Sequence, residues 1–510
     1  MTTANANAAL QFVDRHLQES RGGKIAFSEG NRSLTYDELA TQSDLMADLY
    51  ARHGLGHEDR AVMIALDTIE FPVIFWGSLK AGVVPVPLNT LLSSDHYRFI
   101  LRDSRAKALF VSAALLDVLR PLIDEFTNLR AVFVIGEPVD GLLDFAAELA
   151  ASQQRRPVTV TADEVAFWLY SSGSTGDPKG VRHVHASLKG TADTYAAQVL
   201  GIREDDVVFS AAKLFFAYGL GNAMTFPMSV GATTALLPER PTPQAAFDLM
   251  ARVRPTVFCG VPTLYAAMLA HLKDAPAPGC DRLRRCISAG EALPREVGER
   301  WRAKTGIDIL DGVGSTEMLH IFLSNRPDDV VYGTSGVAVP GYELRLVGET
   351  GQDVEGDAIG ELLVRGATAA DGYWNKREKS RRTFEGEWTR TGDKYQRRPD
   401  GRFVYCGRTD DMFKVSGIWV SPFEVEQALV SHPAVLEAAV VPAKDENDLE
   451  KPKAFVVLKE DAGPEGIDAV LKEHVKEAIG KWKYPRWIEV VDSLPKTATG
   501  KIQRFKLRGR

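Results

Sequence analysis

The chain has 510 residues, more than a single hydrophobic core normally supports, so two or more domains are expected. Hydrophobic residues make up 45% and charged residues 25% of the sequence, as in ordinary soluble globular proteins. The formal net charge of −7 argues against a nucleic-acid binder, because no basic face outweighs it.

The first 20 residues do not have the pattern of a targeting segment. They lack a basic start, a long apolar core and a small-residue cleavage site, which excludes an ordinary secretory signal. No uncharged apolar stretch is long enough to span a bilayer, so we expect a cytoplasmic protein with no membrane partner. No C-x-x-C pattern occurs, so buried free thiols are expected rather than a disulfide or a zinc site. The cysteines concerned are Cys259, Cys280, Cys286 and Cys406.

Short apolar runs that predict strands alternate with helical patterns along most of the chain. The predicted strands cover 61–66, 83–88, 108–112 and 165–170. The predicted helices cover 70–82 and 95–102, and a further helix begins at about His185. This alternation indicates βαβ units, and therefore largely parallel, buried sheets that bind ligands at their strand ends.

The pattern changes scale after Asp410. Predicted strands at 413–417, 435–441, 453–459 and 487–491 enclose helices that begin at Pro422 and at Ile467. This is a compact α+β unit of about 100 residues, a size typical of one domain. The short polar stretch GRTDD at 407–411 is the predicted boundary, which divides the chain into domains 1–409 and 410–510 with a hinge at Asp410. The expected fold is therefore α/β, with a large N-terminal domain of mixed, largely parallel sheets flanked by helices and a smaller, mobile C-terminal α+β domain.

The stretch SSGSTGDPKG at 171–180 directly follows a predicted buried strand. Its glycines permit close backbone approach, so that successive N–H groups can form a nest for an anion. Lys179 adds a mobile positive charge, and the pattern suits a polyphosphate. It is not the common G-x-x-x-x-G-K-[ST] phosphate loop, because Lys179 is followed by Gly180. The alternative is a flexible surface turn.

The stretch DGVGSTE at 311–317 follows the apolar run IDIL. A carboxylate at a turn beside hydroxyl groups suits Mg²⁺, which accepts one or two carboxylates, keeps waters and bridges phosphates. Glu317 is the candidate ligand, with Thr316 beside it. A capping pattern at the start of a helix explains residues 315–317 equally well.

The stretch RTGDKY at 390–395 contains Asp393, which in a tight turn can accept hydrogen bonds from a ribose diol. Arg408, in the GRTDD stretch, can supply a second, charged contact. The alternative is ordinary turn chemistry at strand ends.

The stretch LPKTATGKIQR at 494–504 contains Lys501 on a glycine-containing loop. A lysine in this position can reach a site formed by another domain and offset charge that develops in a transition state. The alternative is a solvated basic tail.

These four motifs, in this order and at these separations, resemble the AMP-forming acyl-CoA synthetase, or adenylate-forming, superfamily from about residue 20 to the end. Four stretches are similar to the benzoate–CoA ligase branch of that superfamily, which includes benzoate, hydroxybenzoate and aminobenzoate ligases. They are 209–222, 288–294, 314–325 and 414–426.

The resemblance implies a nucleotide site. The residues that it places at the pyrophosphate end of ATP are Ser171, Ser172, Gly173, Ser174, Thr175, Gly176 and Lys179. Those that it places at the adenine are Gly290, Glu291, Ala292, Asp311 and Gly312. It assigns Thr316 to the α-phosphate, Glu317 to Mg²⁺, and Asp393 with Arg408 to the ribose. Val313 is a departure, because the family often has a tyrosine there that stacks on adenine.

The resemblance also implies sites for the acid and for CoA. The acyl pocket that it implies is lined by Phe216, Ala217, Tyr218, Gly314, His320 and Ile321. Lys414, Ser416 and Gly417 are placed beside the CoA arm, Asp410 at the hinge, and Lys501 as the lysine needed for adenylation. His320 has two interpretations: a donor to the carboxylate or a ring substituent, or a neutral histidine satisfied at the pocket wall.

The implied activity is an ATP-dependent aryl-CoA ligase acting on benzoate or a hydroxybenzoate, with ATP, Mg²⁺ and CoA. Lys179, Thr316, Glu317 and Lys501 are its expected catalytic residues. Alternatives within the superfamily are a 2-aminobenzoate ligase, an adenylating domain that loads a carrier protein, a fatty-acyl ligase and a luciferase-like oxygenase. A nucleotide-binding sensor without catalysis is an alternative of another class. The expected assembly is a monomer or homodimer.

Overall fold

The computed structural model describes residues 5–171, 177–273, 275–354, 356–409, 411–415, 418–446, 449–459, 462–480, 483–496 and 502–508, with the backbone alone at 414, 418 and 419. The strands are β1 (Ile25–Glu29), β2 (Arg32–Thr35), β3 (Arg60–Ile64), β4 (Val84–Pro87), β5 (Ala108–Ser112), β6 (Ala131–Ile135), β7 (Leu143–Asp144), β8 (Val165–Ser171), β9 (Lys179–Val184), β10 (Val207–Ser210), β11 (Thr233–Leu236), β12 (Val257–Gly260), β13 (Arg285–Ser288), β14 (Ile309–Gly314), β15 (Ile321–Ser324), β16 (Val337–Ala338), β17 (Glu343–Val347), β18 (Ile359–Arg365), β19 (Gly372–Tyr373), β20 (Phe384–Glu385), β21 (Trp388–Arg397), β22 (Phe403–Arg408), β23 (Phe413–Val415), β24 (Ile418–Val420), β25 (Val435–Lys444), β26 (Glu450–Leu458) and β27 (Trp487–Val490).

The α-helices are α1 (Arg15–Gln18), α2 (Tyr36–Arg52), α3 (Glu70–Ala81), α4 (Ser94–Ser104), α5 (Leu116–Ile123), α6 (Phe145–Ala150), α7 (His185–Thr191), α8 (Ala217–Leu220), α9 (Phe226–Val230), α10 (Pro243–Val253), α11 (Pro262–Leu272), α12 (Arg295–Thr305), α13 (Arg377–Thr383), α14 (Pro422–Val430) and α15 (Ile467–Ile479). Three π-helical segments cover Leu10–Asp14, Ala192–Leu200 and Gly221–Thr225, and two 3₁₀ turns cover Ala113–Leu115 and Arg504–Lys506.

The largest sheet has nine strands in the order β16-β15-β14-β13-β12-β10-β11-β1-β2. Its central strands are parallel, because α10, α11 and α12 each carry the chain from the end of one strand back to the start of the next. Strand β12 is buried along its whole length, as expected for a parallel strand covered by helices on both faces. The predicted parallel architecture is confirmed here.

A second parallel sheet has the order β4-β3-β5-β6-β7. Its first three strands in the chain correspond to the predicted strands at 61–66, 83–88 and 108–112. Helix α3, predicted over 70–82, buries nearly every residue from Phe71 to Lys80, so it lies inside the fold and not on its surface.

Strand β9 separates the serine-rich stretch from helix α7, and the sequence interpretation did not include this strand. Strand β8 is followed by β9, which pairs with it in antiparallel register before the helix begins at His185. Val181 and His183 are buried while Arg182 and Val184 are less so, which is the period-two pattern of a strand. The short strand β19 adds to the other edge of β9.

The last hundred residues form their own α+β unit, as predicted. Strands β25, β26 and β27 make a three-stranded sheet, and β23 with β24 make a separate hairpin. Their hydrophobic core includes Val425, Val440 and Leu471 and is separate from the cores of the larger part. The exact boundary at 409/410 stays a prediction, because Asp410 lies outside the described residues.

An aromatic contact connects the C-terminal unit with the rest, because the ring of Tyr405 on β22 lies 5.2 Å from that of Phe423 on α14. Ion pairs hold the end of the chain within the C-terminal unit itself. The Arg504 guanidinium contacts both carboxylate oxygens of Glu426, at 2.8 and 2.6 Å, and Arg508 lies 2.7 Å from Asp411. We call this set of ion pairs, Arg504 and Arg508 with Glu426 and Asp411, the tail latch.

Two further expectations concern the whole chain. All four cysteines are buried free thiols, which confirms the prediction made from their spacing. Within the described ranges, the helices are too short or too polar for any of them to cross a bilayer.

Candidate functional site

The ends of the serine-rich stretch are held together by the β8–β9 ladder. Ser171, the last residue of β8, pairs directly with Lys179, the first residue of β9. The Ser171 hydroxyl is buried and has no hydrogen-bond partner in the described part of the chain. Residues 172–176 lie outside the described residues, so the nest itself stays a prediction. The closed ladder shows that this stretch connects two strands of one hairpin.

Lys179 meets Glu317, although 138 residues separate them. The Lys179 ammonium lies 3.4 Å from Glu317 Oε1 and 3.4 Å from the hydroxyl oxygen of Tyr373. Tyr373 donates its own hydrogen bond to the same Glu317 oxygen at 2.8 Å. The side chains of Lys179 and Glu317 are only 11% and 16% exposed, so their interaction is weakly screened by water.

Glu317 is suited to a hard cation. Burial acts to raise the pKa of its carboxyl, but the Lys179 charge and the Tyr373 hydrogen bond outweigh burial and hold this pKa below its ordinary value. The group is therefore an anion at neutral pH. The described residues contain no cluster of three or more metal-ligating side chains. A single carboxylate still fits Mg²⁺, which commonly takes its remaining ligands from water and phosphate.

Thr316 and Glu317 lie in a tight turn between β14 and β15. The alternative interpretation of residues 315–317 as the start of a helix is wrong, because β15 begins at Ile321 and pairs antiparallel with β14. The Ser315 hydroxyl accepts a hydrogen bond from the Met318 N–H at 3.2 Å, which closes the turn. The same serine chemistry serves turns and helix caps, so the sequence pattern could not separate the two.

The adenine-side residues come together at the end of the large sheet. Ser288 on β13 pairs with Asp311 on β14, and the Leu293 N–H donates to Asp311 Oδ2 at 3.4 Å. Between them the chain turns through Gly290, which has a φ of +94°. Burial raises the pKa of Asp311 well above its ordinary value. The chain segment 288–293, which contains residues 290–292, is thus held at both ends to Asp311, and the assignment of these residues to adenine stays a prediction.

The next two residues of β14 pair with β15. Gly312 pairs with Ser324, and a Cβ at Gly312 would lie 2.9 Å from Ile321 Cγ2. Val313, at the position where the family often has tyrosine, pairs with Leu323 and packs against the main hydrophobic core. An apolar side chain at position 313 is therefore consistent with its surroundings.

Asp393 and Arg408 are brought together on neighbouring strands. They pair across β21 and β22, and Arg408 Nη1 lies 2.9 Å from Asp393 Oδ1. Asp393 lies within strand β21, so its expected place in a tight turn is corrected. The preceding Gly392 has a turn-like positive φ, of +72°, where the register of the β18–β21 ladder shifts.

Electrostatic effects connect this pair with the Lys179 site. Burial and the Glu317 carboxylate raise the pKa of Tyr373, and the positive charge of Arg408 acts against them. Burial and Asp393 likewise raise the pKa of Tyr405, while Arg408 and Arg504 lower it. The Asp393–Arg408 pair therefore has electrostatic effects on Tyr405, and its arginine also acts on Tyr373 at the Lys179 site.

The predicted acyl-pocket residues come from two segments that meet. Residues 216–218 lead into α8, and the Tyr218 hydroxyl donates to the carbonyls of Gly260 and Ile287 at 3.1 and 3.2 Å. Residues 314–321 close the β14–β15 hairpin, where Gly314 pairs with Ile321. His320 Nε2 lies 3.3 Å from the Tyr218 carbonyl, which joins the two segments.

The remaining predicted acyl-pocket residues lie on the same two segments, 216–218 and 314–321. Phe216 packs edge-on against Phe215 at 4.5 Å, and Ala217 begins α8. Gly314 allows a close approach, because a Cβ there would lie 2.5 Å from the carbonyl oxygen of His320. The geometry therefore accounts for a glycine at position 314.

His320 is a neutral residue of an aromatic wall. Its ring lies 4.4 Å from Phe226 and 5.3 Å from Tyr195, and burial lowers its pKa to about 3. Because a carbonyl oxygen only accepts, the contact with Tyr218 assigns the proton to Nε2. Nδ1 is then an acceptor, and it has no partner in the described ranges. Of the two interpretations of His320, the first is therefore excluded, because Nε2 already donates its proton to Tyr218 and Nδ1 has none to donate to a carboxylate.

Several predicted residues lie outside the described residues. They are Ser172, Gly173, Ser174, Thr175, Gly176, Asp410, Ser416, Gly417 and Lys501, together with the side chain of Lys414. Their assignments stay predictions.

Two features of this site were missed by sequence reasoning. Tyr373 contacts both Lys179 and Glu317, and a glycine followed by two aromatic residues at 372–374 was its only signal. His183 lies fully buried on β9, stacked on Phe167 at 5.0 Å, and burial lowers its pKa to about 4 against the effect of Glu317.

Stability should fall on mild acidification, because buried histidines must remain neutral. His183 and His320 have folded pKa values of about 4 and 3, below their unfolded value of 6.5. Stability is thus complete above pH 6.5 and is lost as the pH falls towards 4, by about 2 kcal/mol per histidine at pH 5. Urea unfolding followed from pH 7.5 to 5 measures this slope. His183→Gln should flatten it, and an equal slope in the variant would contradict the assignment.

Comparison with known proteins gives two family matches. The family model described as AMP-binding enzyme matches residues 13–374. A second model, described as AMP-binding enzyme C-terminal domain, matches residues 424–501. The two matches together cover both parts of the fold.

Individual relatives match along nearly the whole chain. A 4-hydroxybenzoate–CoA/benzoate–CoA ligase of Rhodopseudomonas palustris is 55% identical over 100% of this chain and 95% of the relative. The crystal structure of a benzoate CoA ligase from Burkholderia xenovorans LB400 matches with a TM-score of 0.91 and 50% identity, over 99% of this chain and 100% of that one. The anthranilate CoA ligase AuaEII, in complex with anthranoyl-AMP, matches with a TM-score of 0.95 and 41% identity, over 99% and 97%.

Proposed function

The chain belongs to the AMP-binding enzyme family, and from this membership we propose that it is an ATP-dependent aryl-CoA ligase. It converts benzoate or a hydroxybenzoate to the CoA thioester through an acyl adenylate, and it releases AMP and pyrophosphate. The observation that carries this proposal is the meeting of Lys179 with Glu317, 138 residues apart, at 3.4 Å. MgATP requires two such groups. One is a cation at the end of a serine- and glycine-rich stretch, and the other is a buried anion suited to a metal.

The first step joins two anions. The aryl carboxylate attacks the α-phosphorus of ATP, and the bond from that phosphorus to the bridging oxygen of pyrophosphate breaks. An ionised carboxylate is already a nucleophile, so no general base is needed. Lys179, Lys501 and the N–H groups of the serine-rich stretch offset the charge on the phosphoryl oxygens, and Thr316 lies at the α-phosphate. Glu317 would hold Mg²⁺, which would supply positive charge to the phosphate oxygens.

The second step forms the thioester. The CoA thiol attacks the acyl carbon of the adenylate, its proton is released, and AMP leaves. In our proposal the C-terminal unit turns about Asp410, so that residues 414–417 replace Lys501 at the reacting centre. Asp393 and Arg408 hold the ribose in both steps.

The acid is proposed to be a flat aryl carboxylate that lies against the wall of Tyr218, His320 and Phe226. Aromatic walls stabilise a ring by burial and stacking. His320 presents Nδ1 as an acceptor, so it suits a ring hydroxyl, which donates, better than a second carboxylate. This chemistry favours benzoate and 4-hydroxybenzoate over longer aliphatic acids.

A CoA-thioester assay tests the proposal. Purified protein is incubated with MgATP, CoA and one acid from a panel of benzoate, 3- and 4-hydroxybenzoate, 2-aminobenzoate and octanoate. Thioester and AMP should form in equal amounts, fastest with benzoate or 4-hydroxybenzoate. Preference for 2-aminobenzoate or octanoate would assign a different ligase. AMP without any thioester would indicate an adenylating domain that loads a carrier, and ADP as the product would exclude the mechanism.

The remaining assignments belong to the same proposal. We propose a cytoplasmic enzyme that acts as a monomer or homodimer, with no nucleic-acid or membrane partner. Light scattering of the eluting protein measures its assembly directly.

The aryl site should be sensitive to one methyl group at Gly221. A Cβ at this position would lie 2.4 Å from His320 Cδ2 and 3.0 Å from the ring of Phe226. Gly221→Ala should therefore push His320 towards the aryl acid and raise KM for benzoate about tenfold or more, because overpacking typically costs 1–3 kcal/mol. KM for ATP should stay within about twofold. Gly56→Ala is the control, since its Cβ would meet no atom within 4 Å. An unchanged benzoate KM would exclude this wall from the acyl site.

A further inference from the structure

A short segment physically joins the two halves of the proposed MgATP site. We call residues 370–374 the bridge segment. At one end, the Ala370 N–H donates to the Glu317 carbonyl at 2.8 Å. At the other end, the Trp374 N–H donates to the Gly180 carbonyl, also at 2.8 Å. The segment therefore fixes the backbone beside Lys179 relative to the backbone of Glu317.

Tyr373, within this segment, reaches both side chains. Its hydroxyl donates to Glu317 Oε1 at 2.8 Å, a shorter contact than the 3.4 Å from Lys179 to the same oxygen. Both contacts fall on Oε1, so Oε2 lies outside this pair of hydrogen bonds. A hydrogen bond to one oxygen of an ionised carboxylate fixes the direction of the other.

The Tyr373 side chain is itself immobilised. Its residue is 4% exposed, its N–H donates to Ser380 Oγ at 3.0 Å, and its ring packs against Phe384 at 5.4 Å. The pairing of β19 with β9 sets its backbone opposite Val181. A buried side chain with this many fixed neighbours is held in one rotamer, so the position of its hydroxyl relative to Glu317 is fixed.

The Tyr373 ring also contacts Lys179. The ammonium nitrogen lies 4.6 Å from the ring centroid, within the range of a cation–π interaction. Such a contact is weaker than one between an ammonium and a phosphate. Lys179 can therefore leave the ring for the phosphates of ATP, while the tyrosine hydroxyl stays on Glu317.

We propose that Tyr373 is a positioning residue for MgATP. It holds the Glu317 carboxylate in the orientation that the metal needs, and it keeps Lys179 beside the site before the nucleotide binds. This inference rests on the proposed function, because it takes Glu317 as the residue that faces Mg²⁺. Tyr373 acts through Glu317 and Lys179 and does not itself contact the reacting atoms.

The test is MgATP binding by Tyr373→Phe, measured by isothermal titration calorimetry. The variant keeps the ring and its cation–π contact with Lys179, but it removes the hydroxyl with its contacts to Glu317 and Lys179. Binding of ATP with Mg²⁺ should weaken about tenfold, since a hydrogen bond to a charged group is lost. Binding of ATP in EDTA should be unchanged. The matched control is Tyr332→Phe, which removes a hydroxyl that donates to the Asp308 carboxylate at the same 2.8 Å.

A double variant separates positioning from packing. If Tyr373 acts through Glu317, Tyr373→Phe should cause no further loss of MgATP affinity when it is added to Glu317→Gln. An additive loss would overturn the inference, and so would equal weakening with and without Mg²⁺, or MgATP binding as tight as that of Tyr332→Phe. The wild-type protein reports on the proposed function separately. If the wild-type protein forms no AMP with any acid of the panel, the proposed function is wrong, whatever the variants show.

Discussion

Lys501→Ala should reduce formation of the acyl adenylate by about 10²–10³-fold, the usual effect of removing one group that stabilises transition-state charge. The first step brings a carboxylate to a triphosphate, so every cation at the α-phosphorus has a large effect. The second step starts from an acyl adenylate whose one phosphate carries a single negative charge, far less than the reacting carboxylate and ATP carry together. Thioester formation from supplied benzoyl adenylate should therefore remain within about threefold of wild type.

Two half-reaction assays make this comparison. Pyrophosphate exchange measures the first step, and CoA consumption with synthetic benzoyl adenylate measures the second. Lys496→Ala is the control: it removes a lysine of the same basic stretch, whose ammonium pairs with Glu437. Equal loss of both half-reactions in Lys501→Ala would contradict its assignment to adenylation alone, and full activity would assign it to a solvated tail.

Glu317→Gln should lower kcat/KM for MgATP roughly a hundredfold, or about 3 kcal/mol. The substitution keeps the shape of the side chain but removes the anion that faces the metal. It also leaves the Lys179 ammonium, which is 11% exposed, without its carboxylate partner. Raising the Mg²⁺ concentration should recover part of the loss, because the metal is then held by phosphate and water alone.

Glu361→Gln is the matched control for this prediction. The Glu361 side chain is 17% exposed, against 16% for Glu317, and it pairs with Arg390 at 2.8 Å. Both variants therefore lose one partly buried ion pair. Steady-state kinetics over a range of Mg²⁺ concentrations should show a metal-dependent defect in Glu317→Gln only. The same defect in both variants would indicate a general loss of stability.

Regular periodic patterns were sufficient to predict much of the fold. The strand Ala108–Ser112 has the bounds that the sequence predicted, and the helix Ile467–Ile479 begins at the predicted residue, because each has an uninterrupted pattern of buried residues. Strand β9 was missed since its alternation extends over only six residues and follows directly on a glycine-rich stretch. Local turn chemistry likewise did not decide between a helix start and a hairpin at residues 315–317.

The candidate site was predicted unevenly, for a physical reason. Lys179, Glu317, Asp393 and Arg408 belong to short motifs whose composition indicates their chemistry. Tyr373 has no such local signal, because its role depends on contacts with residues 56 and 194 positions away. For His320, burial and the contact of Nε2 with the Tyr218 carbonyl decided between the two interpretations, and a single sequence reveals neither.

The tail latch limits how the C-terminal unit of this enzyme can move. Arg504 follows Lys501 by three positions, and its guanidinium is bound to Glu426, whose side chain is 6% exposed. Detaching it would cost about 3–5 kcal/mol, as for other broken buried pairs. Arg504, three positions after Lys501, is therefore braced against helix α14. In the proposed rotation about Asp410, we expect this brace to stay intact and the C-terminal unit to turn as one body.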